Sequence, residues 1–337
     1  MSATLRLVGS EVLLPEGPVV AVVGTGAVGG YYGGRLAQGG EDVRFLLRSD
    51  YAAVKERGLE VRSCDGDFHL SADRVKVYRD VREMGRGRGV DLVIVALKTT
   101  SEGLYGELIG PLVGEGTVIL SIQNGLGTDE RLAELFGAER VIGGLAFVCI
   151  NRIGPGVIHH MSHGQVKIGE FGAGRSVRTE QIARMFVRCG VKCEVLESLK
   201  KGRWEKLIWN IPFNGLGAVM DLTTDRLIAS VEGRKLIGDL MGEVMAAGRA
   251  DGVTFGISTE DMISRQIRST EGMGAYRSSM QIDRQEGRAL EVEAILGEPL
   301  RRGREKGVEM PRLAALCEMA RVVDGARGRT EITKITE

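Results

Sequence analysis

Residues 19–30 read VVAVVGTGAVGG, and this stretch decides the fold. The first five are small or β-branched apolar residues, a run typical of a strand buried on both faces of a parallel sheet. Three glycines follow with the spacing G-x-G-x-x-G, and helical sequence continues to about Gln38. In such a unit the first glycine makes the turn, the second lets the backbone approach a pyrophosphate, and the third lets the helix pack on the strand. The predicted dinucleotide contacts are Gly24, Thr25, Gly26, Ala27, Val28 and Gly29.

Other glycine-rich segments show that glycine spacing alone is weak evidence for a dinucleotide-binding turn. Residues 85–89 (GRGRG) and 125–127 (GLG) are also dense in glycine, but only residues 24–29 come directly between a buried strand and a helix. The start of that helix supplies N–H groups and partial positive charge for phosphates. The alternative is a tight turn that binds no ligand.

The strand–turn–helix pattern recurs along the first half of the chain. Residues 43–47 form a second predicted strand, which ends in Arg48 and Ser49. Residues 91–96 and 117–121 repeat the buried-strand pattern, and a turn and helical sequence follow each. This alternation predicts a parallel sheet with crossover helices. Hairpin-like segments within 156–169 predict additional strands at the far edge of that sheet.

The pattern changes after residues 191–195. From about residue 198 onward, apolar residues recur every three or four positions, as along one face of a helix. We therefore predict an extension over 1–18, an α/β domain over 19–197 and an all-helical domain over 198–337. The core of the helical domain is expected to hold Leu236, Ile237, Leu240, Met241, Val244 and Met245.

The composition excludes several classes of protein. Lys and Arg together number 45, as do Asp and Glu, so the net charge is zero and nothing favours nucleic acid or an anionic membrane surface. No apolar run approaches the roughly 20 residues that span a bilayer. The five cysteines are scattered, which is typical of reduced thiols in a cytoplasmic protein rather than of a disulfide framework. The sequence leaves the oligomeric state open, with a homodimer as one alternative.

The end of the second predicted strand indicates which dinucleotide is bound. An acid at this point accepts hydrogen bonds from a free ribose 2′-OH and repels a 2′-phosphate. This chain has Arg48 and Ser49 instead. Because a guanidinium pairs well with phosphate, the sequence favours NADP(H) as the cofactor. The alternative is a solvated surface arginine.

The order of motifs along the chain resembles that of the ketopantoate reductase family. The resemblance runs from position 19 nearly to the C-terminus, and a series of spaced motifs is more specific than one glycine pattern. The motifs are GTGAVG at 24–29, Arg48, VALKT at 95–99, SIQNGLG at 121–127, GPGVIHH at 154–160, RWEKL at 203–207, Asn210, Asn214, and SSM at 278–280 with Asp283.

The resemblance implies both a fold and an activity. The fold is an N-terminal α/β Rossmann domain with extra edge strands, followed by an all-α domain like the C-terminal domain of 6-phosphogluconate dehydrogenase. The activity is NADPH-dependent reduction of a small 2-keto acid, ketopantoate to pantoate, on the route to pantothenate and coenzyme A. Two alternatives stay open: a paralogue that reduces another short 2-keto acid, and a sensor that binds the nicotinamide without turnover.

Reduction of a ketone leaves an alkoxide, so the site needs a proton donor. Histidine is the usual candidate, but all four histidines precede the predicted helical domain. A lysine can serve, because burial favours its neutral form and lowers its pKa. Lys206, Asn210 and Asn214 recur every fourth residue and so share one helix face. The alternative is a polar stripe that faces solvent.

The resemblance assigns roles to residues in both domains. From the residues alone, Lys98 and Asn124 follow the carboxyl ends of parallel strands, where open α/β sheets bind ligands; the alternatives are a solvated lysine and an Asn-Gly turn. The resemblance makes Lys206 the general acid and places Asn124 beside both nicotinamide and substrate. The further substrate contacts that it implies are Asn210, Asn214 and Ser279, and the further cofactor contacts are Lys98, Cys149 and Glu291.

Three histidines fall in one segment, His159-His160-x-x-His163. Adjacent residues of a strand face opposite sides of a sheet, so this spacing fits a metal site poorly. We therefore expect no metal.

Two departures from the family pattern lie on the substrate side. The family phrase Thr-Glu-Ile-Asp, followed by Ile-Asn-Gly, is replaced by LEVE at 290–293 and ILG at 295–297. Residues 329–332 (RTEI) imitate the phrase, but they lie near the end of the chain and we treat the likeness as coincidence. Pro212 comes before Asn214 rather than after it and is expected to bend the helix.

Overall fold

The structure is a computed structural model that describes residues 7–8 and 11–326. Part of the predicted extension over 1–18, and the imitating phrase at 329–332, lie outside the described residues. The chain divides into two compact units. The first, here the sheet unit, comprises Met1–Gln123 and Thr128–Leu199, and the second, the helical unit, comprises Asn124–Gly127 and Lys200–Glu337.

The sheet unit alternates strands and helices over most of its length. Its strands are β1 Leu7–Val8, β2 Glu11–Val12, β3 Val19–Val23, β4 Asp42–Leu46, β5 Leu59–Ser63, β6 Phe68–Leu70, β7 Lys76–Tyr78, β8 Leu92–Val95, β9 Val118–Ser121, β10 Val141–Gly154, β11 Val157–Glu170 and β12 Cys193–Val195. Its helices are α1 Ala27–Gln38, α2 Tyr51–Arg57, α3 Val81–Met84, α4 Tyr105–Ile109, α5 Thr128–Phe136 and α6 Val177–Arg188. Short 3-10 turns cover Thr99–Leu104, Gly110–Leu112 and Ala138–Arg140.

The strands of the main sheet run in the order β6-β5-β11-β10-β9-β8-β3-β4-β7. From β7 to β10 every neighbouring pair is parallel. Strand β11 returns antiparallel to β10 and then pairs with β5 and β12, which extends the sheet past its parallel part. The predicted parallel sheet with extra edge strands is confirmed, and the predicted strand over 43–47 is shifted by one residue.

Alternate residues of the central strand β3 pack into two different cores. Val20 and Val22 join a cluster that includes residues of α1 and α6, such as Leu36 and Phe186. Val19, Ala21 and Val23 join a second cluster with residues of α4 and α5. Both faces of the strand are therefore covered by helices, which explains why its sequence is apolar at every position.

The helices of the helical unit are α7 Leu199–Met220, whose first residue belongs to the sheet unit, α8 Thr224–Leu227, α9 Val231–Ala250, α10 Thr259–Glu271, α11 Ser279–Gln285, α12 Glu298–Glu305 and α13 Pro311–Gly325. A π-helical turn, Glu293–Gly297, directly precedes α12. The predicted α9 stripe is confirmed as core, because Leu240 and Met241 are fully buried and Leu236 packs against the same cluster. Helix α7 continues through Pro212, so the proline does not end the helix.

Within the residues that the structure describes, no helix is both long enough and apolar enough to cross a membrane.

Candidate active site

The turn between β3 and α1 has the shape that a phosphate group needs. Gly24 has a φ of +96°, and a Cβ there would lie 2.4 Å from the Leu97 nitrogen. A Cβ at Gly29 would lie 2.4 Å from the Gly24 oxygen. At Gly26 a Cβ would meet nothing within 4 Å, so this side of the turn is open. Gly26 also caps α1 without a side chain, which leaves the helix start accessible to an anion.

Hydrogen bonds hold the neighbouring strand ends at this edge of the sheet. The Thr25 hydroxyl donates to the Leu46 oxygen at 2.9 Å and so links the turn to the end of β4. The buried amide of Gln123 donates to the Leu97 oxygen at 2.8 Å and accepts from the Tyr105 hydroxyl at 2.9 Å. The sequence prediction missed Gln123, although it directly precedes Asn124. Its contacts fix the segment that leads to Lys98.

The other predicted cofactor residues of the sheet unit occupy different places. Arg48 is exposed and follows the end of β4, and Lys98 is half-buried at the start of a 3-10 turn. Cys149 is buried within β10, opposite Ser162 of β11. Asp50, which the sequence prediction also overlooked, is buried two residues after Arg48.

In the helical unit, Lys206 and Asn124 contact each other directly. The Lys206 ammonium donates to Asn124 Oδ1 at 2.8 Å. Asn124 belongs to a short segment that is fixed to the π-helical turn, because the Leu126 amide donates to the Ala294 oxygen at 2.9 Å. The segment therefore presents an oriented amide oxygen to the lysine.

The protein around Lys206 makes its ammonium acidic. The pKa of Lys206 is lowered to about 7, mainly by desolvation and further by the positive charge of Arg203, while the Glu291 carboxylate acts in the opposite direction. Trp204, Leu207 and Ile208 of the same helix are buried in the apolar core of the helical unit. A lysine with a pKa near neutrality can both hold and release a proton at working pH.

The two acids of the altered 290–293 motif have different surroundings. Glu291 is buried, and its charge acts on Lys206. Glu293 has a side chain that is 70% exposed, and both its oxygens accept from Arg321 at 2.8 Å. The structure thus singles out Glu291 as the acid associated with the lysine.

The remaining predicted substrate residues lie on α7 and at the start of α11. Asn210 is buried one turn after Lys206. Asn214 Oδ1 accepts from the Ser279 hydroxyl at 3.0 Å and from the Met280 amide at 3.1 Å. The Asn214 oxygen therefore orders the first turn of α11, and its NH₂ group remains the part suited to a ligand.

The histidine segment does not gather its own side chains, since His159 and His163 are exposed and His160 is buried. His160 instead comes together with Cys64 and Asp65, whose ligand atoms all lie within 4.8 Å of one another. The Ser63 hydroxyl lies 2.8 Å from His160 Nδ1 and accepts from the Arg35 guanidinium at 2.9 Å. Because this guanidinium would repel a cation at the cluster, we assign no metal to it.

Comparison with known proteins identifies the family. Residues 20–173 match the family model described as ketopantoate reductase PanE/ApbA, and residues 198–324 match the model of its C-terminal part. A 2-dehydropantoate 2-reductase from Nostoc sp. is 44% identical over 315 residues, which cover 92% of this chain and 96% of that protein.

Solved structures agree with this match. The crystal structure of a 2-dehydropantoate 2-reductase from Geobacter metallireducens is 47% identical, with a TM-score of 0.86 and coverage of 90% of this chain and 98% of that one. The corresponding structure from Methylococcus capsulatus is 30% identical, with a TM-score of 0.82 and coverage of 92% and 97%. The chain therefore belongs to the ketopantoate reductase PanE/ApbA family, a family of oxidoreductases that use a nicotinamide cofactor.

Proposed function

We propose that this protein reduces ketopantoate (2-dehydropantoate) to pantoate with NADPH, and that Lys206 is the general acid. The observation that carries the proposal is the bond between the Lys206 ammonium and Asn124 Oδ1, at a lysine whose pKa lies at about 7. Relatives that are 44% and 47% identical bear the name 2-dehydropantoate 2-reductase. The product pantoate would enter pantothenate synthesis.

When bound, the nicotinamide would supply a hydride to the carbonyl carbon of the substrate. Lys206 Nζ donates a proton to the carbonyl oxygen, so an N–H bond breaks as the O–H bond of the product forms, and the neutral amine later takes a proton from water. Asn124 orients the ammonium by accepting one of its three N–H groups. Glu291 stabilises the charged form of Lys206 between turnovers.

Substrate recognition is assigned to the amides and the hydroxyl near Lys206. The NH₂ groups of Asn210 and Asn214 are donors for the oxygens of a keto acid. The Ser279 hydroxyl, held by Asn214, adds a polar group at the helix start of α11. These neutral donors can bind a small carboxylate without adding another positive charge to those of Lys206 and Arg203.

The cofactor is assigned to the sheet unit. The open turn at Gly26 fits the pyrophosphate, and Arg48 at the end of β4 fits the 2′-phosphate of NADPH. Lys98 and Cys149 are proposed as further contacts of the cofactor. An Arg48→Glu variant is expected to lose most of the preference for NADPH over NADH, measured as the ratio of the two dissociation constants. An unchanged ratio would remove Arg48 from the 2′-phosphate site.

The activity is tested by following NADPH consumption with a panel of short 2-keto acids that includes ketopantoate. Ketopantoate is expected to give the highest kcat/KM. A higher value for another acid in the panel would identify the protein as a paralogue with a different substrate. Tight binding of NADPH without consumption by any acid would identify it as a sensor.

A further inference from the structure

We propose that Arg152, held in place by Asp50, is a second cation for the 2′-phosphate of NADPH and so determines cofactor specificity together with Arg48. The inference rests on the proposed preference for NADPH. All residues concerned belong to the sheet unit and surround the first residues after β4. Arg152 lies 104 positions further along the chain than Arg48, near the end of β10.

Asp50 follows β4, where an acid could accept a hydrogen bond from a ribose 2′-OH. In the structure, however, its side chain is buried. Its side chain is 6% exposed. Oδ1 accepts from the Arg152 guanidinium and from the Ser49 hydroxyl, the latter at 2.9 Å, and Oδ2 accepts from the Gly156 amide at 3.0 Å. With both oxygens engaged in this way, the carboxylate is neutralised and occupied, and it does not act as the acid that selects NADH.

The same contacts hold Arg152 beside Ser49 and Asp50, the two residues that follow Arg48 in the chain. The Arg152 side chain is 43% exposed, and its Nη1 lies 3.5 Å from the Ser49 hydroxyl oxygen. Both contacts of the guanidinium use Nη1, and the group carries further donors on Nε and Nη2. A guanidinium held rigid on one side by a buried acid loses little rotamer freedom when it binds a phosphate.

A third arginine reaches this region from the neighbouring strand. Leu46 of β4 is paired with Tyr78 of β7, so Arg79 lies beside the end of β4. The Arg79 guanidinium is 5.0 Å from the ring centre of Tyr51, the first residue of α2. The adjacent acid, Asp80, is used as the cap of α3. The segment that follows β4 therefore lies among arginines from three strand ends, a charge pattern that favours a phosphate.

The test is direct measurement of the dissociation constants of NADPH and NADH, by isothermal titration calorimetry on the full chain. For Arg152→Gln, the NADPH constant is expected to rise about tenfold or more, while the NADH constant stays close to that of wild type. Arg152→Lys keeps the positive charge beside Asp50. Its NADPH dissociation constant is expected to lie between those of wild type and Arg152→Gln. The matched control is Arg62→Gln, an exposed arginine of β5 paired with Glu60 in the same sheet.

The outcomes separate this inference from the proposed NADPH preference. Equal weakening of NADPH and NADH by Arg152→Gln would mean that Arg152 only fastens the β10–β11 hairpin, and unchanged constants would also overturn the inference. If Arg152→Gln fails to fold, the ratio measured for Arg152→Lys decides. If the wild-type protein binds NADH as tightly as NADPH, the proposed preference for NADPH is wrong. If Arg48→Gln loses the preference and Arg152→Gln keeps it, only the role of Arg152 is wrong.

Discussion

The ammonium of Lys206 lies 2.8 Å from Oδ1 of Asn124, although 82 positions separate the two residues in the chain. Lys206 comes from the long helix α7, whereas Asn124 comes from a four-residue segment that joins the helical unit from the sheet half of the sequence. The bond fixes one N–H of the ammonium and so fixes the directions of the other two. A proton donor held in this way is positioned for transfer rather than free to rotate in solvent.

Removal of the ammonium should affect catalysis far more than cofactor binding. For Lys206→Met, kcat is expected to fall by about 10² to 10⁴, the usual effect of losing a positioned proton donor. The dissociation constant of NADPH should be nearly unchanged, because the proposed phosphate contacts belong to the sheet unit. Lys201→Met is the matched control: this lysine is on the same helix, its side chain is 42% exposed, and its ammonium lies 3.8 Å from Glu205. A near-normal kcat in Lys206→Met would contradict the assigned role.

The pH dependence of reduction follows from the pKa of about 7 at Lys206. Only the protonated form donates, so kcat/KM is expected to be level below this pH and to fall about tenfold per pH unit above it. The Glu291 charge raises this pKa, so Glu291→Gln should move the midpoint to lower pH. A profile that stays flat up to the ordinary lysine range, or a midpoint that Glu291→Gln moves upward, would contradict this account.

Local patterns made much of the fold predictable. The β3 strand and the glycine turn are encoded within twelve consecutive residues, and the spacing of Lys206, Asn210 and Asn214 predicts their shared helix face. The distinction between Glu291 and Glu293 could not be predicted, because the partner of Glu293 is Arg321, which lies 28 positions further along the chain. Pairing over such a distance leaves no local pattern in the sequence.

The hydrogen-bond partners of Asp50 are a second feature that the sequence could not predict. The sequence prediction considered Arg48 and Ser49 but not Asp50, whose carboxylate accepts hydrogen bonds from Arg152 and Gly156. These partners come from a hairpin about a hundred residues away, and pairing across such a distance leaves no periodic signal.

The stripe on α9 gives a test of the helical core. Leu240 is fully buried, so Leu240→Ala is expected to destabilise the protein by about 2 to 5 kcal/mol, since the substitution removes apolar contacts and leaves a cavity. Leu236→Ala, on the same helix but half-buried, is the control and should cost less. Urea unfolding curves of the two variants and wild type provide the comparison. A loss in Leu240→Ala no larger than that in Leu236→Ala would show that the stripe is not the core.

Gly125 is expected to control the position of Asn124. Its φ is +83°, and a Cβ there would lie 2.2 Å from the Ala294 oxygen, the same atom that accepts from the Leu126 amide. Gly125→Ala must therefore push the segment away from the π-helical turn and loosen the bond from Asn124 to Lys206. We expect a lower kcat, and a midpoint of the pH profile at lower pH, because the lost hydrogen bond favoured the charged ammonium.

Gly127→Ala is the matched control for this prediction. Gly127 also has a positive φ, +94°, so both variants carry a backbone strain of about 1 to 2 kcal/mol. A Cβ at Gly127 would come no closer than 3.6 Å to the Glu298 side chain, so the clash with backbone belongs to Gly125 alone. The difference between the two variants in kcat and in pH midpoint thus isolates the contact with Ala294. Equal effects would mean that backbone strain explains both variants, and that the contact between the Asn124 segment and Ala294 has no part in catalysis.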